Sequence, residues 1–441
     1  MRPLKSLTFE AVRDLLSRTF KRIPDKRDPD RVTWKLHAVL MSAFAMLFFQ
    51  HPSLLDYQRR MRKVKGRSNL ERVFEVGEIP SDTQMREILD GLPTESLRKL
   101  LPEFFERSRR AGWTVRLVTR VNEENYYTVA LDGSEYFHST KIECVACLRR
   151  KDTTGQVHYS HVVVAATLVK AGTHDILPFD VEEARNEDGQ EKQDCEINAG
   201  KRLIKRIRQE HPQLKICVTG DDLYAHEPFI KELRDLRMAF VLIAKPSSHP
   251  ELFEWVEELD RMGEGEKGEW SEGPAAKRRY FKYRIARQVP LTQSGKVVVN
   301  FVEVWEYNRT GKQVYHNSFV TDFEVTAENV AVVVGIGRSR WKIENEQFNV
   351  HKNHGYELEH NYGHGRQTLS MVFYLLNLLA FLTHKILEWG DQLYQQCRAQ
   401  DSLRGLWTML RSAFHLVVVA SWRELLRAYL DDEVEGEGAS P

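Results

Sequence analysis

The chain has 441 residues, more than one ordinary domain holds, so two to four structural units are expected. Its apolar fraction of 42% excludes a disordered or predominantly membrane-embedded chain. A formal net charge of +1 hides an uneven spread: residues 1–125 carry 25 Lys/Arg against 17 Asp/Glu, a difference of +8, which leaves the remainder at −7. A basic front beside a more acidic body suits a polyanionic partner.

Met1–Ser6 is basic but no apolar run follows it, so no secretory signal is expected. Leu7–Ile23 has apolar residues at Leu7, Phe9, Val12, Leu15, Leu16 and Phe20, the spacing of an amphipathic helix. Pro24–Asp30 reads as a turn and Val32–Phe49 as a buried helix. A further helix starts at Leu54 and runs into Arg59, Arg60, Arg62, Lys63, Lys65 and Arg67, six cations in nine residues. Solvated helix faces interleave both signs, and this one does not. It therefore reads as a contact to a nucleic-acid backbone, with a plain solvated surface as the alternative. Ser81-Asp82 caps another helix, and Leu97–Arg110 is amphipathic and ends in Arg107, Arg109 and Arg110. Residues 1–122 are thus an all-helical, basic region expected to bind nucleic acid.

From Tyr126 the period becomes strand-like. Tyr127–Gly133, Tyr-Thr-Val-Ala-Leu-Asp-Gly, is a buried strand that ends at Asp132. Val157–Val169 and His174–Phe179 follow as strands two and three. Gln190–Glu210 is helical, with Ile197, Leu203, Ile204 and Ile207 on one face, and Lys201, Arg202, Lys205 and Arg206 make a basic, presumptively solvated face. Leu214–Gly220 is strand four and delivers Asp221; Pro228–Leu236 is a helix and Met238–Ala244 strand five. Three strands, helix, strand, helix, strand is the order of a ribonuclease-H-like α/β core, a mixed five-stranded sheet that brings acids to neighbouring strand ends. The helix Glu251–Arg261, a Gly/Glu-rich turn at Met262–Glu272 and strands Tyr280–Val289, Lys296–Tyr307 and Gln313–Thr321 form a β-rich insertion over residues 247–324. The helical period returns at Ala327 and carries Glu344, so the core is expected over 123–246 and 325–368. The apolar runs Ala38–Phe49 and Leu369–Leu382, 12 and 14 residues, are too short to span a bilayer and read as core helices. Residues 369–430 are a helical C-terminal region, and 431–441 an acidic, disordered tail.

The motifs carry a family resemblance. Asp132-Gly133, Asp221-x-x-Tyr224 and Arg340-Trp341-x-Ile343-Glu344 resemble the DDE transposases of bacterial insertion sequences, in the subgroup with a β-strand insertion before the final Glu. The resemblance covers most of residues 125–365. It implies a catalytic trio of Asp132, Asp221 and Glu344 holding Mg²⁺ or Mn²⁺, two ions per site. It further implies DNA strand cleavage and strand transfer at the terminal inverted repeats of a mobile element and at target DNA. A homodimer in the synaptic complex and a bacterial cytoplasm, at the nucleoid, follow from the same likeness. Two positions depart from the family pattern: Gly337 stands where many members have Tyr, and His351, followed by Lys352, where a Lys is common. Asn186–Arg202, which contains Glu196, also resembles a block of some of these transposases, with no role attached.

Phosphodiester cleavage needs an activated water or 3′-hydroxyl and a stabilised leaving oxygen, and paired divalent cations supply both. Such hard cations want oxygen ligands, which three carboxylates provide. Singly, each acid also reads as a strand-end or helix-face residue; Asp222 is the rival to Asp221, and Glu346 to Glu344. The alternatives to a transposase are a ribonuclease-H-like nuclease or resolvase that cuts without joining, and a domesticated DNA-binding protein.

A second constellation is Cys144-x-x-Cys147 with His158-x-x-His161, which reads as one structural Zn²⁺ or as two buried cysteines with unrelated histidines. Residues three apart on a strand point to opposite faces, which counts against His158 and His161 acting together; His138 is a spare. Five cysteines in no secreted spacing point to a reducing compartment. Trp305 and Tyr307 on an inserted strand, beside Lys296 and Arg309, could stack on a base, or simply pack the sheet. Arg340, Lys352 and the turn His360–Arg366 complete the candidate DNA contacts.

Overall fold

A computed structural model describes residues 7–189, 192–360 and 362–434. Met1–Ser6 and the 435–441 part of the expected disordered tail lie outside them, whereas Asp431 still belongs to the helix Trp422–Val434. The chain is a mixed α/β protein in two compact units. One comprises Met1–Val115, Glu135–His161 and Gln347–Pro441; the other comprises Arg116–Ser134 and Val162–Glu346.

The strands in chain order are β1 (Val118–Val121), β2 (Glu124–Ser139), β3 (Leu148–Lys151), β4 (Val157–Val169), β5 (Ile176–Glu183), β6 (Ile216–Gly220), β7 (Ala239–Ile243), β8 (Glu266–Glu272), β9 (Arg279–Pro290), β10 (Val298–Tyr307) and β11 (Gln313–Thr321). In the second unit the sheet order is β4-β2-β6-β7-β11-β10-β9-β8, with β5 on the free edge of β4 and β1 paired to β2. β2, β6 and β7 run parallel; the β4–β5, β7–β11, β11–β10, β10–β9 and β9–β8 pairs are antiparallel. The inserted strands therefore extend the same sheet instead of forming a body of their own, because β11 pairs Phe319–Thr321 directly with Val241–Ile243 of β7.

The period-2 pattern explains the layering. Val241 and Ile243 face a cluster with Phe319, Val330, Val333, Val334 and Ile336, so the helix Val330–Arg338 covers that face. The alternate residue Phe240 lies under the Arg234 guanidinium of the helix Glu227–Asp235, on the opposite face. The helix Lys192–Glu210 buries Cys195, Ala199, Leu203, Ile204 and Ile207. Gly337 is where the covering helix approaches the sheet: a Cβ there would enter the Phe319 ring.

The short strands β1 and β3 were not foreseen, and the sequence-based boundaries differ elsewhere too. β2 does not stop at Asp132 but continues to Ser139, since Tyr136 is buried and keeps the alternation going. The stretch expected as a Gly/Glu-rich turn contains β8, whose polar sequence hides the strand because it is an edge pairing only with β9. The cationic run is not one helix: Leu54–Met61 ends and Val64–Phe74 begins across it, with Gly66 so close to the Arg60 carbonyl that a Cβ would stand 2.5 Å from its oxygen.

The first unit is helical around Leu36–Phe48 and Leu369–Gly390, both almost wholly buried. The second of these has 22 residues, longer than the 14-residue apolar run, and is long and apolar enough to cross a membrane; 89% of its apolar window is nevertheless buried inside the protein, so it is a core helix. Four backbone N–H groups at its start, Arg366 to Leu369, donate to the Asp90 carboxylate, which caps it from another segment. Phe9, Phe48, Phe74, Trp407 and Trp422 stack and edge against one another in the core, joining residues from both ends of the chain. In this unit β3 pairs with Val157–Ser160 of β4 as a hairpin.

Candidate active site and metal centre

Parallel β2 and β6 are in register at Ala130 and Thr219. Asp132 stands two residues further along β2 and Asp221 just past the end of β6, two residues after Thr219, so the register brings them to the same end of neighbouring strands. The Gly133 N–H donates to Asp132 Oδ1 at 3.0 Å, and the Leu223 N–H to Asp221 Oδ1 at 3.0 Å. Asp222 is turned away: its carboxylate accepts from the Lys245 N–H at 2.6 Å and from the Ser248 hydroxyl, fastening the turn after β7. These bonds commit the Asp222 carboxylate to that turn.

Arg340 follows the helix Val330–Arg338 and is buried. Its Nη1 donates to Asp132 Oδ2 at 3.2 Å and its Nη2 lies 3.9 Å from Glu344 Oε2, so one guanidinium links the first and third acids. Its Nε is buried with no hydrogen-bond partner. Glu344 lies in the π-helical turn Ile343–Phe348 and is half exposed. Such turns redirect side chains and recur at functional sites. Glu346 instead pairs with His174 at 2.9 Å.

Burial pushes the Asp132 carboxyl up to about 7; Arg340 opposes this, while Asp221, Glu196 and Glu344 add to it. Burial also raises Asp221, again against Arg340. Such perturbed carboxyls concentrate where cations or protons are handled. Among the described residues the acidic oxygens are not drawn within 4.8 Å of one another as a group of three.

Sequence reasoning gave Glu196 no role, yet its carboxylate accepts from the Tyr224 hydroxyl at 3.0 Å. Its signal was faint: it is one of several acids in the polar stretch Asn186–Glu196.

In the other unit a buried group could hold a metal ion: Cys144, Cys147, His161 and His364, with one ligand atom from each all within 4.8 Å of one another. Sγ–Sγ is 3.7 Å, the sulfur–Nε2 distances are 3.4 Å (Cys144–His161), 3.5 Å (Cys147–His161) and 3.3 Å (Cys147–His364), and Nε2–Nε2 is 3.2 Å. A tetrahedral ion with metal–sulfur bonds of about 2.3 Å and metal–nitrogen bonds of about 2.05 Å requires edges near ~3.8, ~3.5 and ~3.3 Å. Hydrogen bonds from Cys147, then His161 and His364, hold the Cys144 thiol far below the usual range, which favours the thiolate.

His158 is not in this group. It faces His138 at 2.9 Å and Asp152 at 3.0 Å on the exposed side of β4, the outcome of strand alternation. The fourth position belongs to His364, 203 residues after His161, between Gly363 and Gly365 whose φ values are +146° and +71°. Its segment had been read as a phosphate-contacting turn, and only distance in sequence hid the ligand.

The candidate DNA contacts divide. Arg59, Arg62 and Lys63 are exposed. Arg60 is held by Asp56 and His415, Lys65 donates to the Leu416 carbonyl, and Arg67 pairs with Glu78. Lys352 donates to the Glu135 carbonyl at 3.0 Å and pairs with Glu359 at 2.8 Å. His351 is fully buried, neither ring nitrogen has a hydrogen-bond partner, and burial lowers it to about 3, so it cannot present a charge to phosphate. Trp305 stacks on His316 with rings 8° from parallel. Arg202, Lys205 and Arg206 are tied up in ion pairs with Glu182, Asp188, Glu232 and Asp180. The reading of both sites rests on their own geometry, for no protein-family model matches this chain and no curated protein matches it.

Proposed function

We propose that this protein is a DDE transposase: it binds the double-stranded ends of its mobile element, cleaves them in a metal-dependent reaction and transfers the strand to target DNA. The observation that carries the reading is the pairing of Asp132 and Asp221 on adjacent parallel strands, with Arg340 linking Asp132 to Glu344. The strand order β5-β4-β2-β6-β7, with helices on both faces, fits a ribonuclease-H-like core. Likeness to that fold adds weight but does not by itself assign chemistry.

The donor set fits Mg²⁺ or Mn²⁺: the oxygens are hard, and the acid cluster has more negative charge than its one guanidinium offsets. Bound there, divalent cations would activate the attacking oxygen and stabilise the leaving one. Asp132, Asp221 and Glu344 are the holders. Ionised Asp132 is the competent form. The unpaired Nε of Arg340 gives the site a donor for a phosphate oxygen. The Cys/His group is assigned one structural Zn²⁺, since its edges match tetrahedral N₂S₂ ligation and no ligand position is left for chemistry. We assign the protein to the bacterial cytoplasm and to a homodimer that pairs two DNA ends.

The test is cleavage and joining of linear DNA carrying the sequences that flank its own coding region, with Mg²⁺. Asp132→Asn and Glu344→Gln are each expected to abolish cleavage, a loss of at least about 10³-fold, while retaining DNA binding. Cleavage that persists in either variant would refute the trio. Cutting without joining by the wild type would favour the nuclease alternative, and binding without cutting the DNA-binding module.

A further inference from the structure

In the first unit, Trp34 and the helices Leu54–Met61 and Val64–Phe74 border a cavity of about 230 Å³. Met61, Leu70 and Ile79, all buried, give it apolar walls, and the exposed Arg62, Arg67 and Glu78 bring charge to it. Trp34 itself is half-buried. Trp270, Trp305, Trp407 and Trp422 each stack on another ring of the protein. Trp34 has no such ring partner among the described residues, which leaves it able to stack on a ligand ring.

Size and charge narrow the occupant. An apolar cavity of about 150 Å³ admits a benzene ring, so this one has room for the ring of one nucleobase. Glu78 is paired with Arg67 at 3.2 Å. Arg59, Arg62 and Lys63 are exposed and form no ion pair among the described residues, so positive charge is left in excess beside the cavity. The helix Val64–Phe74 begins in this cluster, and its N-cap residue Lys63 makes no side-chain cap bond, an end that favours an anion. A ring-sized apolar seat next to excess cations fits a ligand that is flat at one end and anionic at the other. That is a nucleotide, not an acyl chain or an acidic peptide.

We propose that this cavity seats one unstacked base of a DNA strand, with the base against Trp34 and its phosphate at Arg62. The assignment rests on the DNA-binding reading of the protein and adds that its helical front holds a base outside the duplex. Stacking on an aromatic ring serves any base, since each has a π-face, so the seat carries little sequence preference. Unstacking costs least where the strand is already single, so single-stranded DNA is the preferred ligand of this seat.

The experiment is fluorescence anisotropy with the full chain and two labelled probes: a single strand of about ten thymidines, and an abasic strand with the same number of phosphates. The wild type is expected to bind the oligothymidine about tenfold more tightly than the abasic strand. Trp34→Ala is expected to remove that preference and leave abasic binding unchanged. Arg62→Ala is expected to weaken both and to lower the salt slope by about one. Circular dichroism confirms folding. Should Trp34→Ala not fold, Gly77→Leu tests the same seat: Gly77 borders the cavity, and a Cβ there meets nothing closer than Glu71 Oε1 at 4.0 Å, so the added side chain blocks the seat without a clash at its root. It is expected to remove the preference as well. Equal or absent affinity of the wild type for the two strands, or a preference kept in a folded Trp34 or Gly77 variant, overturns the proposal. Where the linear duplex of the cleavage test is still bound, the DNA-binding reading survives that result; where the duplex is not bound either, both fall. A Trp34→Ala variant that keeps the preference but changes sedimentation assigns the cavity to a second copy of the chain, which also overturns the proposal.

Discussion

At the scale of single residues, Asp132 sets the pH behaviour of the site. Burial, reinforced by Asp221, Glu196 and Glu344 and opposed by Arg340, raises its carboxyl to about 7. The folded state then binds this proton more tightly than the unfolded chain, whose aspartates titrate near ~3.9. Its contribution to stability is present in full below the unfolded value and is lost as pH rises through about 7. Without added divalent cation, the melting temperature of the wild type is therefore expected to fall between about pH 4 and pH 8 relative to that of Asp132→Asn. If Asp132 holds Mn²⁺ as proposed, the affinity is expected to run the other way and to rise across the same window, since the ionised carboxylate would be the ligand. Parallel melting curves for the two proteins would assign the titration elsewhere. The placement of Asp132 and Asp221 on neighbouring parallel strands, and of Glu344 near Arg340, was legible because each sits in a short motif. Asp221 was preferred to Asp222 because it directly follows the strand and stands three residues before Tyr224; the bonds that commit Asp222 to Lys245 and Ser248 are encoded by no local pattern. His364 and Glu196 escaped because their partners lie far away in the chain.

At the scale of elements, the register of β2 with β6 and the seating of the helix Val330–Arg338 aim the acids and Arg340. Gly337 sits where that helix meets the sheet, with Phe319 occupying the place of its missing side chain. Gly337→Ala is expected to destabilise the protein by about 1–3 kcal/mol through overpacking, measured by urea denaturation, and to lower activity with it. Unchanged stability would mean that the helix shifts freely on the sheet. A packing reason therefore holds glycine at this position in this chain. Period-2 and period-3.6 patterns located most strands and helices to within a few residues. They failed at the four-residue strands β1 and β3, at β8, a polar edge, and at the break near Lys63, because there pairing and close backbone approach decide instead of apolar spacing.

At the scale of the molecule, the division expected from the sequence, a helical front, a core, an insertion and a helical tail, is redrawn by packing. The insertion shares a sheet with the core, and front and tail share one aromatic core. Linear reading cannot foresee either, since both depend on contacts hundreds of residues apart. The Cys/His group belongs to the front-and-tail unit. The purified protein is expected to contain one zinc per chain by metal analysis; Cys144→Ser or His364→Ala should remove it and lower the melting temperature, while His158→Ala should leave zinc content unchanged. Zinc retained in His364→Ala would displace that ligand. The order of synthesis follows from the same spacing. Chains emerge from the ribosome N-terminus first. Cys144, Cys147 and His161 are made early, but the fourth ligand is made only after Glu344, the last of the three acids. A nascent chain thus carries an open, three-residue group while residues 162–363 are made, a little under half of its synthesis, and the group of four is completed only after Asp132, Asp221 and Glu344 have all been made.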